Sequence, residues 1–362
     1  MLFELVCFLI MLPMIFSVPI LYVGMLGQQG QEKALLGMTV AIFVAIGCWF
    51  AFGNQLIGGA NLLFGSVSNI ITGLVQMEFY LYAIVMLIGT IVVTKGCRYF
   101  MGFVPLWTLL VYCPIAYLIW NDQGWLRQMG ALDFSGGIVV HLTAGLTSLV
   151  LSRKVTPVND PIRENDFRTK YAATLMIMIG WLGFNLAPAG HFNQLANLVL
   201  VNTLIAVIGA MIGWLLFARL VANLIETDDL LNGIICGLVT STCLVGYVRP
   251  LEIGLVTFVA GIACPTVIAK MNQSVTFYDA VDSFAMNAIG GLVGVGGLML
   301  IKFGDIFNQP EQTSRFILAE SLAVIIATAV TVIGTMIAHQ IGLLFSQKLL
   351  LKFKFQGEST NE

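Results

Sequence analysis

A chain of 362 residues that is 58% hydrophobic and only 10% charged, with a mean hydropathy of +0.93, cannot be an ordinary water-soluble globule. Its composition specifies a polytopic membrane protein. A net charge of -2 supplies no basic patch, which excludes nucleic acid as a partner and strong steering of an anionic substrate.

Apolar runs long enough to cross a bilayer occur near residues 5–27, 34–56, 68–93, 100–120, 135–152, 171–190, 197–218, 230–248, 251–269, 278–301 and 316–345. The first lacks the basic flank and small-residue cleavage site of a signal peptide and carries Glu4, Pro13 and Pro19, so it reads as a true span. Continuous apolarity without period-two alternation excludes a β-barrel. Eleven spans put the two termini on opposite sides. Of the 17 Lys and Arg, only Arg127, Arg249, Lys302 and Arg315 fall in one set of alternate loops and the rest fall in the other, which predicts an outside N-terminus and a cytoplasmic C-terminus. The seven cysteines are scattered through apolar runs without metal-ligand spacing and read as small buried hydrophobes. No metal or cofactor is expected.

One connection is long and polar, from Ser152 to Lys170, with Pro157 and Pro161 inside it. It divides ten spans into two groups of five. Because five is odd, the second group crosses in the opposite sense, the topology of an inverted repeat. The expected organisation is a first five-helix half over 1–152, a cytoplasmic linker over 153–170, a second half over 171–302, an outer loop with an extra eleventh span over 303–345, and a short cytoplasmic tail over 346–362. The fold class is therefore an all-α polytopic membrane protein.

Ionisable groups at membrane depth are costly and point to function. Span 5 opens on Asp133, passes Gly136 and Gly137, and reaches His141; at about 1.5 Å per residue the imidazole lies roughly 12 Å below the carboxylate, near the midplane. Span 10 echoes this, opening near Asp279 and Asp282 and reaching Asn287 and then Gly290 and Gly291. Entering from the opposite face, Asn287 is expected to meet His141 near the midplane. From the residues alone the pair reads equally as hydrogen-bonding glue between helices.

The stretch Asp133-Phe-Ser-Gly-Gly-Ile-Val-Val-His141 resembles the D-F-A-G-G-x-V-V-H signature of the ammonium transporter family of Amt, Mep and Rh proteins. Gly180-Trp-Leu-Gly-Phe-Asn185 is similar to its G-W-F-G-F-N, and Asp282-Ser-Phe-Ala-Met-Asn-Ala-Ile-Gly-Gly291 to its D-x-F-G-V-H-G-V-G-G. The resemblance covers about residues 5–345. It implies a homotrimer of the plasma membrane with a narrow apolar pore in each subunit, conducting ammonium, ammonia or methylammonium, and no enzymatic activity. By the same resemblance Trp120, Val75 and Pro188 mark the outer recruitment site, Phe79 and Phe184 a stacked phenyl gate, Asp133 and Asp282 structural carboxylates, and His141 and Asn287 the pore.

The departures fall on that site. Asn287 stands where the family places a second pore histidine, Val75 replaces a vestibule aromatic, and Pro188 replaces a small hydroxyl residue. An amide cannot hold a proton at neutral pH, so a relay between two imidazoles is not available. Glu78, deep in span 3 beside Phe79, is a carboxylate that the family pattern does not include; it reads either as a replacement cation site near the gate or as a protonated residue between helices. His191 is expected in an outer loop and His339 on span 11, away from the pore. The tail, with Lys348, Lys352 and Lys354 among Leu and Phe, does not resemble the longer tail that docks a PII-type regulator in the family and is suited instead to anionic membrane lipid. Two other readings remain open in the sequence, an Amt-like receptor that moves little ammonium and a pore for another small neutral solute.

Overall fold

The structure, a computed structural model, describes residues 1–25, 28–154, 166–274 and 276–358, with side chains described for all of these but 28–30, 222 and 348–358. Pro157 and Pro161 of the linker, and the side chains of Lys348, Lys352 and Lys354, lie outside the described residues.

Without water to bond exposed backbone, an apolar chain at membrane depth satisfies its N–H and C=O groups within helices. Among the described residues nine helices are long and apolar enough to span: α1 Leu2–Val23, α2 Gln31–Leu56, α3 Val67–Ile88, α4 beginning at Cys97 and ending at Trp120, α6 Phe167–Leu186, α7 Gln194–Phe217, α9 Pro250–Asn272, α10 Phe284–Phe303 and α11 Pro310–Glu358. Two shorter helices, α5 Gly137–Ser152 and α8 Thr227–Ser241, complete the eleven. Polar caps set several of the starts. Ser66 accepts from Asn69 N ahead of α3, Asp166 from Thr169 N ahead of α6, and Asn193 from Ala196 N ahead of α7.

The two short helices are short for a reason that bears on the site. Before α5 the chain runs non-helically along the end of α8, with Phe134 N donating to Cys243 O at 3.2 Å and Ser135 N to Thr242 O at 2.8 Å. Irregular backbone is tolerated at membrane depth where protein buries it and satisfies its polar groups. The run expected as helical to residue 248 is therefore helical only to Ser241.

α5 and α10 cross closely and antiparallel. Gly145 faces Ala288, His141 faces Asn287 and Gly291, and Ser148 faces Ser283, so positions rise along one helix as they fall along the other. A Cβ on Gly145 would collide with the Ala288 backbone nitrogen, which no side-chain adjustment relieves. Gly145→Val is expected to separate the two helices and lower the midpoint of thermal aggregation in detergent by about 5 °C or more, a core-overpacking effect; an unchanged midpoint would show that the crossing is looser than this. α1 and α6, the opening helices of the two halves, pack as tightly, because a Cβ on Gly180 would collide with Met14 Cβ.

Candidate functional site

The site is built where α5 and α10 meet. Asp133, 4% exposed, accepts from Ile138 N at 3.1 Å and Val139 N at 2.9 Å, so its carboxylate caps the first turn of α5. Its backbone carbonyl accepts from Trp120 Nε1 at 2.8 Å. Gly136 then takes φ +107°, a left-handed conformation that only glycine adopts freely, and the chain turns into the helix. The first turns of α5, Gly137–Leu142, are π-helical and carry His141; the first turns of α10, Phe284–Ile289, are π-helical and carry Asn287. Such segments cluster at functional positions because the extra residue re-aims a side chain out of the ordinary helical register.

His141 is fully buried, and its Nδ1 lies 3.0 Å from Asn287 Oδ1. The amide is oriented by Ser283, since Asn287 Nδ2 donates to Ser283 O at 3.1 Å and to Ser283 Oγ at 3.2 Å. A backbone carbonyl only accepts, so the nitrogen of the amide must face Ser283 and the oxygen must face His141. Nδ1 therefore carries the imidazole proton, and the Nε2 lone pair is left, buried and without a partner among the described residues. Ser283 is itself held, donating to Met86 O at 3.1 Å and accepting from Ser148 Oγ at 2.9 Å. Ser283→Ala removes one of the two acceptors that orient the Asn287 amide and leaves the backbone carbonyl, and is expected to lower transport about three- to tenfold, the worth of about one hydrogen bond; Ser283→Thr is expected to retain it.

Aromatic rings continue from the histidine to the Asp133 side. His141 stacks on Trp181 with centroids 5.4 Å apart and planes at 6°, and Phe184 lies 6.3 Å away. Phe79 meets Phe184 at 4.4 Å and 49° and turns its edge to Trp120 at 5.5 Å and 71°. Beyond them opens a cavity of about 240 Å³ lined by Val75, Phe79, Trp120, Asp133 and Pro188, together with Glu4 and Gln76. At the opposite end a cavity of about 90 Å³ touches Asn287, Ser283, Tyr82 and Met86 and is flanked by the ion pair of Lys170 Nζ with Asp228 at 2.5 Å.

Val75, Phe79, Trp120 and Pro188 thus line one cavity, Asn287 lines the other, and Phe184 and His141 lie in ring contact between them. Asp282 is different. At α10 the counterpart of Asp133 is Asp279, which accepts from Phe284 N at 2.8 Å and from Thr90 Oγ1 at 2.9 Å, whereas Asp282 sits at φ +53° and lines the smaller cavity. The separation of eight positions from Asp133 to His141 recurs from Asp279 to Asn287, the signal that identifies it. Glu78 is fully buried, has no hydrogen-bond partner for either oxygen among the described residues, and lines neither cavity. Tyr82 and Trp181, which wall the histidine, carry no distinct signal of their own in the sequence; Tyr82 follows Phe79 at helical spacing and Trp181 lies within the Gly180–Asn185 motif. His191 pairs with Asn193 in an exposed loop and His339 on α11 with Tyr99, and neither lines either cavity. Among the described residues no cluster of His, Cys, Asp or Glu could hold a metal ion.

The fold and the site together define an all-α polytopic membrane protein with a narrow, aromatic-walled passage that ends on a histidine–amide pair. A family profile described as the Ammonium Transporter Family matches residues 2–361. The chain belongs to the ammonium transporter family. Ammonium transporter Amt1 of Archaeoglobus fulgidus is 27% identical over 353 residues, 90% of this chain and 87% of that protein. An ammonium transporter of Bacillus subtilis is 29% identical over 274 residues, 72% of this chain and 66% of its own length. Among solved structures, a sensor Amt protein superposes with a TM-score of 0.84 at 19% identity, covering 93% of this chain and 91% of that one. Saccharomyces cerevisiae Mep2 gives 0.79 at 23%, covering 91% and 86%.

Proposed function

We propose that this protein is an ammonium transporter that passes its substrate as neutral ammonia, using His141 as the sole imidazole of the pore. The reading rests above all on the His141–Asn287 hydrogen bond, because an imidazole fixed with its proton on Nδ1 offers one acceptor, Nε2, to an ammonia N–H. Ammonium arrives in the Asp133-side cavity, where the Trp120 and Phe79 rings attract a cation by about 0.5 to 2 kcal/mol. There it leaves its proton to solvent. Ammonia passes Phe79 and Phe184, donates to His141 Nε2 and leaves by the cavity below Asn287. Hydrated Na⁺ and K⁺ are rejected because the ring-lined segment returns none of the hydration they would lose.

In this reading the Asp133 side faces outward, the N-terminus is outside and the C-terminus cytoplasmic, following the Lys and Arg bias. The protein is a homotrimer of the cytoplasmic membrane with no catalytic chemistry. Its tail engages the inner leaflet rather than a PII-type regulator. Uptake of labelled methylammonium by proteoliposomes, compared with K⁺, water and a small amide, tests the assignment. Saturable uptake competed by ammonium, with no K⁺ flux, is expected. Binding without flux would make the protein a receptor, and equal passage of the other neutral solutes would make it a general pore.

A further inference from the structure

In the sequence α11 is left over from the repeat, a span with no assigned task. Its contacts give it one. Glu320 on α11 is fully buried, and its Oε2 accepts from Leu132 N at 2.9 Å. The Cys243 thiol points into the same corner, 4.0 Å from Glu320 Oε1 and 3.6 Å from Leu132 O. About one turn earlier Arg315 donates through Nε to Met129 O at 3.0 Å and through Nη2 to Gln128 O at 2.7 Å. Two polar side chains of α11 thus hold the end of a short helix, Trp125–Met129, and the connection from it into Asp133, at Gln128, Met129 and Leu132.

That connection runs directly into the vestibule. Asp133 O holds the Trp120 indole, its carboxylate starts α5, and Trp120 meets Phe79 edge-on. A connecting loop is the mobile part of a helical protein unless it is tied down. A buried carboxyl oxygen that accepts a backbone N–H ties it down, because that N–H is costly to leave buried and unpaired. We infer that Glu320 is a positioning residue for the ammonium-recruiting vestibule, acting with Arg315 through the segment from Gln128 to Asp133 and the hydrogen bond of Asp133 to Trp120. This inference rests on the transport function proposed for the chain and adds α11 to the residues that set affinity.

The test compares Glu320→Leu, Glu320→Gln and Arg315→Ala in proteoliposomes, with protein abundance measured for each. Glu320→Leu raises the half-saturating methylammonium concentration about tenfold, an effect of one buried hydrogen bond, and leaves the maximal rate within about twofold. Glu320→Gln keeps an acceptor oxygen for Leu132 N and stays near wild type. Arg315→Ala, at a more exposed position, shifts half-saturation in the same direction by a smaller factor. A second readout is independent of transport: a membrane-impermeant maleimide applied from the Asp133 side, with labelling at Cys243 followed by peptide mass mapping. Cys243 is fully buried, so wild type and Glu320→Gln stay protected and Glu320→Leu is labelled. Equal half-saturation in all three variants, or equal effects of Gln and Leu, overturns the inference. Unchanged Cys243 protection in Glu320→Leu overturns it as well. If Glu320→Leu does not accumulate, Arg315→Ala decides by its half-saturation and Cys243 labelling. A wild-type protein that moves no methylammonium counts against the transport function alone, and the labelling still decides the role of Glu320.

Discussion

His141→Leu lowers saturable methylammonium uptake by about 10- to 100-fold while the protein still inserts and folds. The leucine fills a similar volume against Trp181, so the ring wall is kept, and two polar interactions are lost. On the proposed route ammonia loses its imidazole acceptor, and Asn287 Oδ1 loses its donor. A buried polar group left unpaired costs about 1 to 3 kcal/mol, and each 1.4 kcal/mol is a tenfold change in rate. His141→Gln is expected to lose less, because an amide keeps an acceptor in the passage. Uptake by the leucine variant within twofold of wild type would mean that the dry aromatic wall alone selects the substrate.

Asn287→His produces the opposite and second large effect. Asn287 can orient the imidazole but neither takes up nor releases a proton near neutral pH, so wild-type flux is expected to carry no charge. A second imidazole at this position completes a pair able to pass a proton, and the cavity of about 90 Å³ beside Asn287 has room for the larger ring. The expected outcome is a sustained inward current under an ammonium gradient, absent from wild type and absent again when His141→Leu is combined with it. Maximal uptake rises about tenfold if proton return limits the wild-type rate. A variant that stays electrically silent while its uptake is intact would show that the imidazole pair is not sufficient for charge movement.

Several parts of this arrangement are legible in the residues. The partition of Lys and Arg and the apolar runs are governed by the bilayer, so eleven spans emerge from composition and loop charge. The meeting of His141 and Asn287 emerges from inverted topology together with equal depth in spans 5 and 10. The remainder depends on three-dimensional capping and on side-chain direction. Asp279 and Asp282 both precede the helix; the eight-residue spacing to Asn287 favours Asp279, and its bond from Phe284 N shows it to be the cap. The π-helical turns under His141 and Asn287 leave no periodic signature, because each spans only six residues. Glu78 next to Phe79 resembles a gate residue by adjacency, but adjacent helical positions point about 100° apart, and Glu78 does not line the cavity that Phe79 lines. Glu320 lies inside the apolar run of α11, where nothing in the local pattern shows that its partner is Leu132 N, far away in the chain.

The central claim is that one fixed imidazole passes ammonia without charge. It is tested most directly by recording luminal pH and transmembrane current together in proteoliposomes given an ammonium pulse. The account predicts rapid luminal alkalinisation, well above that of protein-free vesicles and of the His141→Leu variant, with no sustained current. A sustained current that scales with protein density in the wild type would contradict it.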